Sequence, residues 1–210
     1  MPRRRDALWL APALLLADHA TAQRGASLWF DPTQLPSYTG RLERWIATPA
    51  GVVDRGLLRE GTQFVFAPSE AEGLMAAIEP GAPISVWGIR ARNAAVVLML
   101  AWGRSDSEPL GFVERPAWFV AHEPGREPLQ LAGRILCPLF TPRGEGMGVV
   151  LAEGGAIRLS VAAHRSLGDL LKPGEPLAAE GLGTRRGGLV ALDAVAIGRA
   201  MDSLRPVPQG

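Results

Sequence analysis

Cysteine and lysine are almost missing from these 210 residues: Cys137 and Lys172 each stand alone. One cysteine excludes an intramolecular disulfide and any cysteine-built metal cluster. Charge of either sign is not in excess, because 22 basic residues face 21 acidic ones for a net charge of +1. No overall field then draws the chain to a polyanion or a membrane surface, and any charge-based function has to be local. The basic residues are almost all arginine, a bias that a GC-rich genome explains as well as a binding surface does. Long apolar runs are missing too. The run at residues 7–17 spans 11 residues, short of the roughly 20 that a membrane-crossing helix needs, so no stable membrane span is expected.

The same run has a second meaning. Arg3, Arg4 and Arg5 precede it and Ala20-Thr21-Ala22 follows it, which is the layout of a secretory signal over residues 1–22. Asp6 and Pro12 fit that layout less well. The expectation is an exported protein, periplasmic or secreted, or a cytoplasmic one if the N-terminus is not cleaved.

Turn residues recur at a fixed distance. Laid without gaps at an offset of 93, residues 40–101 match 133–194 at 16 of 62 positions. Shared are Gly40-Arg41 with Gly133-Arg134, Thr48-Pro49-x-Gly51 with Thr141-Pro142-x-Gly144, and Glu60-Gly61 with Glu153-Gly154. Pro80-Gly81-x-Pro83 and Gly88 match Pro173-Gly174-x-Pro176 and Gly181. Residues of this kind fix where strands begin and end. A Trp-Phe pair precedes each copy, Trp29-Phe30 and Trp118-Phe119, and Pro109, Pro116, Pro124 and Pro128 lie between. The division is therefore 23–103 for one module, 104–128 for a connector, 129–200 for the second module and 201–210 for a tail.

Within copy one, residues 40–47 read as a half-buried strand with Leu42 and Ile46 on one side and Trp45 on the other. Residues 56–58 and 62–66 add two strands joined by the Glu60-Gly61 turn. From Ser69, a candidate N-cap, the spacing turns helical through Leu74, Ala77 and Ile78 until Pro80-Gly81 stops it. Residues 84–90 and 96–102 close the unit. The order of three strands, a helix and two strands predicts an all-β dominated fold: two tandem five-stranded OB-type Greek-key barrels, each with one helix between strands three and four. The two copies should superpose at the constant offset. The interior should hold Leu42, Phe64, Phe66, Leu74, Ile78, Ile84 and Val86, with Ile135, Ile157, Leu159, Leu167, Leu171 and Leu177.

The run TPRGEGMGVVLAEGGAIRLSV, followed by LLKPGEPLAAEG, resembles a bacterial family of uncharacterised OB-type modules. That family is built on a Pro-x-Gly-(Glu) turn, a Gly-Leu-Leu-Leu-x-x-Gly strand pair and a Lys-Pro-Gly helix stop. The likeness covers both copies, with Val52 standing in copy one where the family carries an acidic residue. It implies a fold and no activity.

Chemistry is sparse. His19 would leave with the signal, and His122 and His164 have no metal-spaced partner, so both read as solvated or capping residues. Gly144-x-Gly146-x-Gly148 precedes a strand, whereas phosphate cradles open helices, so it reads as a hairpin loop. No catalytic constellation and no cofactor site is expected. What remains is the surface OB folds use, the outer face of strands two and three with the loops between strands one and two and between strands four and five. Arg90 and Arg92 in copy one, and Arg185 and Arg186 in copy two, fall on the second of these loops, while Arg143 falls on the first. Paired guanidiniums suit a phosphate or carboxylate. Trp45 and Trp87 alternate away from the apolar phase and are candidate stacking platforms for bases or sugars, or packing surfaces between modules. The expected function is a non-catalytic binding protein with an anionic ligand. The alternatives are a cytoplasmic protein binding single-stranded nucleic acid and a structural accessory docking a protein partner.

Overall fold

A computed structural model describes residues 31, 34–107, 111–112 and 125–208. Residues 1–22, both Trp-Phe pairs and His122 lie outside them. Barrel one is formed by β1 (Ser37–Ala47), β2 (Val53–Leu58), β3 (Gln63–Val65), β4 (Pro83–Arg90) and β5 (Val96–Gly103), with a short β6 (Gly111–Phe112) beside β5. Barrel two repeats this with β7 (Glu127–Phe140), β8 (Gly146–Leu151), β9 (Ala156–Arg158), β10 (Pro176–Arg186) and β11 (Leu189–Gly198), and β12 (Arg205–Pro206) lies beside β11. In each, strand one pairs with strands two and four, and strand three closes the barrel on strand five in parallel. That closure is the OB arrangement, and it removes the open edges a flat sheet would leave.

A helical segment plugs each barrel between strands three and four. In barrel one a 3-10 turn at Pro68–Glu70 runs into α1 (Ala71–Ala77). Ser69 does not cap it, because the segment opens one residue earlier on Pro68, whose missing N–H leaves one donor fewer to satisfy. In barrel two α2 (Val161–Ser166) has a side-chain cap, Ser160 accepting from Ala163 N at 3.1 Å, and a 3-10 turn at Gly168–Leu171 follows. Of the predicted interior every residue is buried except Leu167, which is half-buried against the core.

Two departures from simple alternation decide where side chains go. In β1, Leu42 faces Leu58 and Arg44 faces Leu57, so Glu43 is an extra, bulged residue. A bulge reverses parity. Trp45 therefore turns into barrel one with Leu42, against the outward position expected for it, and sits edge-on to Phe64 and Phe66 at 5.9 Å from each. Ile46, expected inside, turns outward. Leu136 is the matching bulge in β7.

The second departure corrects the constant offset. Gln63 pairs with Val96 while its counterpart Ala156 pairs with Ala191, so β5 and β11 correspond at an offset of 95. The hairpin of barrel two is two residues longer, turning on Gly187 and Gly188, both with positive φ. The offset of 93 holds through β4 and β10 and fails only in the last strand.

Candidate ligand surfaces and the barrel interface

The outer face of strands two and three, where an OB fold would offer a ligand platform, is not free in either barrel. The two faces pack on each other. Ile46, Ala47 and Leu57 of barrel one form one buried cluster with Leu139, Val150, Ala156 and Ala191 of barrel two. The pairing is nearly two-fold, since Ile46 corresponds to Leu139 and Leu57 to Val150.

Polar groups lock it. Gln63 on β3 is fully buried, donates from Nε2 to Pro138 O at 2.6 Å and accepts at Oε1 from Phe140 N at 3.3 Å. Arg55 on β2 donates from Nη1 to Phe140 O at 2.7 Å, and Arg158 on β9 donates from Nη2 to Ala47 O at 3.3 Å. Phe140 and Ala47 are counterparts, so each barrel sends an arginine to the end of the other's first strand. Asp54 joins them: its Oδ1 accepts from Arg55 Nε at 3.1 Å and from Arg158 Nη2 at 2.8 Å. It is the extra residue of a second bulge, between the Ile46–Arg55 and Ala47–Val53 pairs. Burial alone would raise the Asp54 pKa, but Arg55 and Arg158 outweigh it and hold the carboxyl below its ordinary value. Burial lowers the Arg55 pKa, and Asp54 opposes that. Sequence reading did not single out Asp54, Arg55, Gln63 or Arg158. The available signal was a buried strand position whose polarity differs between copies, Gln63 against Ala156 and Arg158 against Val65.

The flanking loops cross in the same way. A Cβ on Gly144, in the loop 141–145 of barrel two, would lie 2.5 Å from Asn93 Oδ1 and 3.0 Å from Ala91 Cβ in the loop 91–95 of barrel one. A Cβ on Gly51, in the loop 48–52, would lie 2.8 Å from Thr184 Oγ1 at the barrel-two hairpin. Both glycines have φ in the left-handed region, 85° and 79°, so they serve the turn and the close approach together.

Arg90, Arg92, Arg143, Arg185 and Arg186 are exposed on these loops and adjoining strand ends. The loop that carries Arg143 meets, through Gly144, the loop that carries Arg92 across the interface. Seven arginine side chains among the described residues make no hydrogen bond or ion pair, and these five are among them; the others are Arg165 and Arg205. Arg90 lies over the Tyr38 ring at 6.0 Å.

No protein-family model matches the chain, and no curated protein matches it.

Neither tryptophan offers a stacking surface. Trp45 is in the core for the reason given. Trp87 keeps its predicted parity, opposite Ile84 and Val86, yet only 4% of it is exposed. His164 is half-buried, its ring packed on Gly146, and so is not a solvated side chain. Among the described residues no three His, Cys, Asp or Glu side chains gather as metal ligands, and no helix is long and apolar enough to cross a membrane.

Proposed function

We propose that the protein is a non-catalytic binding module whose docked barrels take an anionic ligand on the crossed loops rather than on the strand faces. The observation that carries this is the placement of five arginines without hydrogen-bond or ion-pair partners on loops and strand ends that the barrel contact itself brings together. Guanidiniums elsewhere among the described residues are mostly consumed by carbonyls and carboxylates; these are not, so their donors are available to oxyanions at little desolvation cost. Nucleic-acid recognition in the usual OB manner lacks support, because a strand laid on strands two and three would have to displace the other barrel. The residues at 1–22 favour an exported protein, which N-terminal sequencing of the mature chain tests.

The direct experiment titrates inorganic phosphate and a labelled single-stranded oligonucleotide into the full chain and into a variant with all five arginines changed to alanine. Wild type should bind anions and the variant should lose most of that affinity with an unchanged Tm, since exposed charges stabilise little. An oligonucleotide held only through phosphates should weaken with salt at a log-log slope of about −0.7 per contact. Equal binding by the two proteins removes the arginines from the site. No binding of any anion favours partner docking, for which Leu182 and Val195, 47% and 58% exposed on barrel two, are the natural surface.

A further inference from the structure

We infer that the anion site is composite: Arg92 of barrel one and Arg143 of barrel two act on one dianionic group, a phosphate or phosphomonoester, and the site exists only while the barrels are docked. This rests on the loop-arginine reading and narrows it to one end of the interface.

The two ends are not equivalent. At the first, Gly144 packs against Ala91, Asn93 and Ala94, and a Cβ there would lie 3.1 Å from the Ala94 Cβ. Arg92 and Arg143 are the residues immediately beside this loop-to-loop contact, one from each barrel, both exposed and neither paired. Their backbones are fixed by the contact, so two guanidiniums can reach one oxyanion without ordering a free loop. Arg90, held over Tyr38, adds a third positive charge at the same end. Glu145, exposed on the loop of Arg143, is the one carboxylate on these two loops and makes no ion pair with them. Three positive charges against one negative suit a dianion better than a monoanion.

At the second end both arginines come from one strand. Arg185 and Arg186 are successive residues of β10, and successive strand side chains point to opposite faces. They cannot converge as a pair. The crossing loop 48–52 supplies no charge, because Ala50 stands where the other copy has Arg143 and is only 2% exposed.

Calorimetric titration of the full chain with inorganic phosphate, and separately with acetate, at low salt tests the assignment. Phosphate should bind more tightly than acetate. R92A and R143A should each lose about tenfold or more in phosphate affinity, as loss of a charged hydrogen bond does, and R92A/R143A should lose little more than either alone. R185A/R186A should stay within about twofold of wild type, and E145Q should bind phosphate more tightly. All variants should keep the wild-type Tm. Wild-type phosphate affinity in R143A, or a loss in R185A/R186A as large as in R92A/R143A, would overturn the composite site while leaving the broader loop-arginine reading standing. Failure of wild type to bind phosphate, acetate or an oligonucleotide overturns both.

Discussion

Barrel one and barrel two have the same strand order but fill it by opposite choices of large and small. In barrel one the Phe64 ring lies over Gly56, where a Cβ would be 2.2 Å from Phe64 Cζ; barrel two has Val149 and Ile157 at these places. In barrel two the His164 ring lies over Gly146, 2.2 Å from a Cβ there; barrel one has Val53 and Ala71. Each swap conserves volume across a contact rather than residue type, which is what a packed interior tolerates. The interface diverged differently. Asp54, Arg55 and Gln63 belong to barrel one and Arg158 to barrel two, while the counterparts Met147, Gly148, Ala156 and Val65 are uncharged. A pair of second barrels would bury each Arg158 against Met147 in the place of Asp54, without a carboxylate to meet it. Duplication followed by this divergence turns two like faces into complementary ones that reject self-pairing.

The two barrels differ with the largest energetic consequence at Asp54. Asp54→Ala leaves Arg55 and Arg158, 2% and 8% exposed, as buried charges without their carboxylate, a change expected to cost about 3–5 kcal/mol. Urea denaturation of wild type and variant measures it. Because the folded pKa of Asp54 is depressed, its contribution is present above the unfolded value near 3.8 and is lost as pH falls through the folded pKa. The gap between wild type and Asp54→Asn should therefore close only below about pH 3.8. A loss under about 1 kcal/mol at neutral pH, the size of an exposed pair, would mean the interface is wet and the network dispensable.

The packed interiors should respond less strongly. Gly56→Val drives a side chain into the Phe64 ring and should destabilise by about 1–3 kcal/mol through overpacking. Adding Phe64→Ile imports the barrel-two pair and should recover part of that loss, with a coupling of about 0.5–3 kcal/mol in the double-mutant cycle. Additive losses would show that the two positions do not share one volume.

Much of the fold could be read from turn residues. Thr-Pro-x-Gly, Glu-Gly and Pro-Gly-x-Pro demand particular backbone conformations wherever they occur, so their recurrence marked the strands and the helical plug of both barrels. Side-chain direction was less legible. It depends on bulges at Glu43 and Leu136, which insert one residue without a local signature, and the parity of Trp45 and Ile46 inverted as a result. The two-residue lengthening of the second hairpin was hidden because Val97 and Ala101 happen to match Val190 and Ala194 at the wrong offset. Exposure of the loop arginines followed from turn chemistry. Their arrangement did not, since the meeting of the loop 141–145 with the loop 91–95 depends on how the barrels dock, and Asp54, Arg55, Gln63 and Arg158 look like ordinary surface positions until a second face covers them.

The smallest expected effect concerns His164, which titrates where barrel one has an inert Ala71. Burial against Gly146 lowers its pKa from the ordinary 6.5, with a hydrogen bond to the Gly148 backbone acting in the other direction. The folded state therefore prefers the neutral ring, whereas the unfolded chain takes up a proton near pH 6.5. Between the folded and unfolded pKa values the unfolded chain binds more protons, so stability rises with pH in that window. The contribution is complete above about pH 6.5 and is lost as pH falls through the folded value. Because the ring is only half-buried, water screens it in part and the loss should be much smaller than that of Asp54→Ala. Urea midpoints at pH 7.5, 6.5 and 5.5, taken as about one pH unit to either side of the ordinary imidazole value, should fall for wild type. They should fall less for Gly146→Val/His164→Ala, which installs the barrel-one pair. The difference between the two proteins cancels the carboxylates, which titrate alike in both. Equal slopes would mean that the folded state protonates His164 as readily as water does, and that its packing on Gly146 carries no electrostatic consequence.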